Sequence, residues 1–342
     1  MKAASHLRCC ALAATLLPAI ALSQATDKLR LIQTIPIPNV QGRLDHLDVN
    51  PVSKRLYVAA LESGSVEVMD LAAAKWQHSI TGFKKPQGIA AIPSLNKLFI
   101  ASGDDGMLRV FRLDTSAPLA SIQLEPGTNR VTYDPRTHFL YVGYGGKDAG
   151  HDYGQVAVID ARADKRIADI RVSAHPAELL LDPTGHTLYA FISVLNQVHV
   201  IDTRTGQITA TWPIASKGPG DAALDPAAHR LFIGTHQPPE MIVLDSSTGK
   251  QITNLPTGEG MDGVYFDAKH KRVYISCGRA ANSGAVFVYQ QGNPDHYDLI
   301  AQIPTRPGAG TSFWSPQLNR YFVAAPADGN TPAAILVFEP QP

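Results

Sequence analysis

The hydrophobic positions of this chain fall in short runs of about four to eight residues, rich in Val, Ile and aromatics and bounded by Gly, Pro and Asp, which is the pattern of β-strands. Several runs alternate apolar with polar side chains, as in Val66 to Asp70, Val156 to Asp160, Val198 to Asp202 and Ile242 to Asp245. Others, such as Arg166 to Val172 and Gln207 to Ile214, read as strands at the edge of a sheet. No stretch beyond residue 25 carries the period of about 3.6 expected of an amphipathic helix.

The runs are copies of one unit. An apolar-aromatic-apolar triplet recurs around Tyr57, Phe99, Tyr141, Tyr189, Phe232, Tyr274 and Phe322, at spacings of 42, 42, 48, 43, 42 and 48 residues. A turn signal stands six residues before each aromatic, at Pro51, Pro93, Pro135, Pro183, Pro226, Ala268 and Pro316. Proline presets φ for a tight turn, so each copy has two strands joined there, followed by the alternating strand and an edge strand. This period is that of propeller blades. The predicted fold is an all-β, seven-bladed β-propeller of four-stranded antiparallel blades occupying residues 26–342 as a single domain. The aromatics are expected in the core, where burying each is worth roughly 1.5–3 kcal/mol.

After Gly310 only three strands remain, one short of a blade. The segment Leu31-Ile32-Gln33-Thr34-Ile35-Pro36 matches Leu299-Ile300-Ala301-Gln302-Ile303-Pro304, the outer strand of blade six. The N-terminal strand is therefore predicted to complete the last blade, leaving the sheets no open edge.

Segments such as Val156-Ala157-Val158-Ile159-Asp160 and Val198-His199-Val200-Ile201-Asp202-Thr203-Arg204-Thr205-Gly206 resemble the YVTN repeats of YncE-like exported propellers. The resemblance spans nearly all of the chain after residue 25. It departs at the Thr-Asn end of the tetrad, as in Tyr57-Val58-Ala59-Ala60. It implies blade architecture only, and it carries no catalytic residues with it.

Residues 1–25 fit a cleavable signal peptide: Lys2, His6 and Arg8, an apolar run from Cys9 to Leu22, then Ser23-Gln24-Ala25 as a cleavage site. The run contains Pro18 and is too short to span ~30 Å of hydrocarbon, and no later run is longer, so no membrane span is expected. A periplasmic or secreted protein is the expectation. Lys2 and Arg8 leave with the segment, so 30 basic residues become 28 against 30 acidic, a formal charge of −2. That balance argues against a duplex nucleic-acid partner. Cys277 alone remains of three cysteines, which excludes an internal disulfide and leaves no c-type haem motif or Cys-rich zinc site. A monomer is expected.

The repeat also selects a face. The turn-to-aromatic spacing is invariant, whereas the distance from the aromatic to the aligned third-strand residue is 11 in four blades and grows to 17, 14 and 15 in blades three, six and seven. The added length lies in Gly143 to Gly154, Ser276 to Gly284 and Ala324 to Ala333, all on one face, and variable loops on a rigid scaffold are where binding concentrates. Five or six residues before the turns, the inner strands bring Asp45, His46, Gln87, Asn129, Arg130, Glu178, Asp221, Asp262 and Thr311 to that face. His175, His151, His236 and Arg279 lie in loops nearby. Together they predict a polar funnel for a small molecule, peptide or protein partner.

Other readings stay open. Inner strands need polar side chains to satisfy wet channel walls, so the ring can be structural. His46, His175 and His236 with Glu178 offer N/O ligands for a divalent metal, without a supporting local motif. Arg130 and His46 beside carboxylates offer hydrolytic or lyase chemistry of the kind seen in lactonase propellers. Cys277 is expected to be a packing residue. His138, His186, His229 and His270 fall in the invariant turns of the opposite face, and the Gly143-Tyr144-Gly145-Gly146 run opens no helix and so is no phosphate loop.

Overall fold

The structure, a computed structural model, describes residues 28–184, 186–280 and 283–342; the expected export segment lies outside them. Among the described residues, twenty-eight strands form seven four-stranded antiparallel sheets. Each sheet takes its strands in chain order from the channel outward, except the last. Blade seven combines Ser312–Ser315, Arg320–Ala325 and Ala333–Pro340 with the N-terminal strand Leu29–Ile37, which pairs antiparallel with Ala333–Pro340 and sets Ile35 opposite Ile335. Leu29, Ile35 and Ile37 are buried in this closure, and the Gln341 amide donates to Lys28 O at 3.0 Å. The ring is therefore closed by the strand that the sequence assigned to it.

The seven repeated aromatics are all core residues, none more than 2% exposed. Three of their phenols are hydrogen-bonded, as buried polar groups require. Tyr57 donates to Leu113 O and Tyr189 to Ser246 O, each in the next blade. Tyr274 donates to Asp267 Oδ2 at 2.9 Å. The register of the second and third strands also follows the repeat. Tyr57, Phe99, Tyr189 and Phe232 face Val68, Val110, Val200 and Val243. Across the longer connections, Tyr141, Tyr274 and Phe322 face Val158, Val288 and Val337. In blade three the insertion is partly ordered structure: the second strand runs on to Gly145 and a short 3-10 turn covers Gly146–Ala149.

The invariant turns explain their own composition. Three residues after the turn position, Lys54, Asn96, His138, His229, Lys271 and Asn319 all have φ between 50° and 63°. Asn and His tolerate this left-handed region better than most residues, which accounts for His138 and His229. At the same end of the blade, an Asp closes the third strand in four of the seven blades and folds the next turn. The Oδ1 atoms of Asp70, Asp160, Asp202 and Asp245 each accept backbone N–H groups two residues on.

Candidate functional site: the channel mouth and the loop-face cleft

The inner strands of blades one, two and six carry a one-residue bulge, which places Asp45-His46, Gln87-Gly88 and Asp262-Gly263 where the partner strand offers one residue. Blades three, four and five lack it and present Arg130, Glu178 and Asp221 at the corresponding height. The channel mouth thus divides into two arcs, each organised by one arginine.

In the arc of blades three to five, Arg130 Nε donates to Glu178 Oε1 at 2.6 Å and Nη2 donates to Glu178 Oε2, a bidentate pair. The same Nη2 reaches Asp221 Oδ1 at 2.9 Å. Glu178 is 4% exposed and accepts the Leu179 amide as well. In the other arc, Arg43 Nη2 donates to Asp262 Oδ2 at 3.0 Å and lies 3.4 Å from Asp45 Oδ1. Asp45 sits 2.6 Å from His46 Nδ1 and receives a long contact from Gln87 Nε2, while Thr311 Oγ1 donates to Asp262 at 2.6 Å.

The electrostatics separates the two acids of this arc. Burial opposes ionisation of Asp45, but the charge and hydrogen bond of His46, with Arg43 and Gln87, outweigh it and hold the carboxyl well below the usual range. Burial and the nearby Asp221 instead push Asp262 upward, with Arg43 resisting. Arg43 was absent from the residues singled out in the sequence, although it joins both.

The remaining candidates lie apart. His175 approaches Gly145 O with Nδ1 at 3.2 Å, and burial lowers its affinity for a proton. His151 stacks on Tyr153 with ring centroids 4.8 Å apart, and Arg171 covers that tyrosine. Asn129 is half-buried, and its Oδ1 has no hydrogen-bond partner. His236 and Arg279 are exposed and line a cleft of about 430 Å³ with Arg43, Asp262 and Thr311 across blades five to seven and the loop entering blade one. The ion-paired mouth thus runs on, through Arg43, Asp262 and Thr311, into a lateral cleft. The expected metal set is not assembled. His46 is held by Asp45, His175 packs against Gly145 and His236 stands in the cleft, and among the described residues no three His, Cys, Asp or Glu side chains converge on one point. Cys277 is fully buried, and burial pushes its thiol up to about 12, which is incompatible with a ready nucleophile.

Behind the mouth lies the central channel, a cavity of about 510 Å³. His46, Arg130 and Glu178 line one end, and Tyr133 and Pro183 line it toward the invariant turns. Its wall includes Asp48, a second residue the sequence reading passed over. Both carboxylate oxygens accept backbone amides at 2.7 Å, one from Val49 and one from Ala91 in blade two. Burial raises this carboxyl to about 7 against the pull of those amides.

No protein-family model matches the chain, and no curated protein matches it in sequence. Solved structures do match it in shape. One is a chain of a mitotic checkpoint complex, at 13% identity and TM-score 0.76, covering 99% of each chain. Another is hydrazine synthase of Kuenenia stuttgartiensis, at 18% identity and TM-score 0.75, covering 88% of this chain and 96% of the other. At such identities the likeness is one of architecture, and what it establishes is that the chain is a β-propeller.

Proposed function

We propose that this is an exported, YncE-like propeller, periplasmic or secreted, that binds a small molecule, peptide or protein partner at its loop-rich face. The observation that carries this reading is the cleft in which the exposed Arg279 and His236 stand beside the Arg43–Asp262 ion pair. An ion pair and two exposed side chains give a surface with both charge signs, suited to orienting a polar ligand. The long loops after the second strands of blades three, six and seven border the same face and support it further. A thermal-shift ligand screen tests the reading. Compounds that raise the melting temperature of the wild type should lose that effect in the Arg279→Gln, His236→Ala double variant. Stabilisation that persists unchanged in the variant would count against this face.

A hydrolase or lyase, lactonase-like in architecture, is favoured by one observation. Asp45 fixes the His46 ring through Nδ1 at 2.6 Å, and the residue lines the channel cavity with Arg130 and Glu178. A carboxylate-oriented imidazole near a guanidinium can serve as base beside a charge stabiliser. Turnover of lactone or ester substrates that disappears in His46→Ala would support this, and turnover unchanged by that variant would remove it. Activity surviving exhaustive chelation would dispense with metal assistance.

A further inference from the structure

Seven residues occupy the same height in the channel, each paired with the core aromatic of its blade. Asp48, Tyr265 and Phe313 face Tyr57, Tyr274 and Phe322. Ala90, Thr132, Leu180 and Ala223 face the aromatics of blades two to five. All seven line the channel cavity. Asp48 is the one carboxyl among them, and its two hydrogen-bond partners are backbone amides, so no protein cation stands against it in these contacts. On its blade-seven side come Phe313 and then Tyr265, an edge-to-face pair with centroids 6.1 Å apart. A carboxyl held by backbone amides, adjoining aromatic rings in a cavity of mixed polar and apolar lining, is the environment an alkylammonium group satisfies, through charge with the carboxylate and through the ring faces.

We infer that the central channel is a second binding site, for a small organic amine whose ammonium meets Asp48 and whose apolar body packs against Phe313, Tyr265 and Leu180. The site is distinct from the loop-face cleft: the two cavities share no lining residue. At the loop-side end, Arg130 and Glu178 pair across the wall, whereas the other end reaches Pro183 in the invariant turns. This inference does not depend on the function proposed for the loop-rich face.

The test is calorimetric titration of the protein with 4-phenylbutylamine and with 4-phenylbutan-1-ol, which shares its skeleton without the charge. The amine should bind saturably at one site and at least about tenfold more tightly than the alcohol. Asp48→Asn should remove that preference, Phe313→Ser should weaken the amine severalfold, and Arg279→Gln should leave both ligands unaffected. Equal binding of amine and alcohol by the wild type, or no saturable amine binding, would overturn the inference without requiring any variant to fold. Amine binding as tight in Asp48→Asn as in the wild type, or lost in Arg279→Gln, would overturn it equally.

Discussion

Arg130, on the third blade, reaches past the fourth to hold Asp221 on the fifth at 2.9 Å while gripping Glu178 between them. One guanidinium thus ties three consecutive blades at the channel mouth, and its loss strands a buried carboxylate. Arg130→Met should destabilise the protein by about 3–5 kcal/mol, the range for breaking a buried pair. Adding Glu178→Gln should restore part of that loss, since the uncompensated charge goes with it. Denaturant unfolding of the single and double variants measures both effects.

Removal of residues 1–38 should abolish the closure of blade seven. The strand Ala333–Pro340 would be left with an open edge, and the buried Leu29, Ile35 and Ile37 would be lost from the core. The expected outcome is a lowered melting temperature together with aggregation on heating, because an unpaired edge recruits other chains. A truncated protein that melts like the intact one would contradict the closure.

The fold was legible because its determinants are local and repeated. A core aromatic recurs seven times, preceded six residues earlier by a turn position that is proline in six copies and Ala268 in the other, and both respond to short-range constraints. The site was legible only in part. Asp45, Arg130, Glu178 and Asp262 were found by their distance from the turns. Arg43 sits just ahead of its strand and meets Asp262 across 219 positions of sequence, so no periodic signal marks it. Asp48 did leave a signal: it holds a repeat position at which the other blades carry Ala90, Thr132, Leu180, Ala223, Tyr265 and Phe313. Comparing that column for charge, in addition to the column at the mouth, would have found it.

Asp48 and Asp45 should act on stability in different pH windows. The Asp48 carboxyl titrates near 7 in the folded protein, whereas its unfolded value is about 4. Between these the native state keeps a proton that the unfolded chain releases, so this group makes stability fall from about pH 4 to about pH 7 and contributes no slope above. His175, whose proton affinity is lowered by burial, opposes that trend near its own titration. Asp45 is held low, so its contribution is present above about pH 4 and is lost as pH falls further. Unfolding midpoints of wild type and Asp48→Asn should therefore change relative to each other across the upper window and run parallel in acid.

Cys277 should be silent in the native state. In protein beginning at Thr26 it is the sole thiol, fully buried and strongly disposed to stay protonated. A chromogenic disulfide reagent should label it only after denaturant is added, whereas immediate labelling of folded protein would show that the site opens readily.

The most direct test of the binding face uses whichever compound most raises the melting temperature of the wild type. Its dissociation constant should be measured for the wild type, for Arg279→Gln with His236→Ala, and for His138→Asn with His229→Asn on the opposite face. The loop-face substitutions should weaken binding at least about tenfold, and the turn substitutions, which keep residues suited to positive φ, should leave it unchanged. Affinity that survives the loop-face changes and falls with those in the turns would contradict the account.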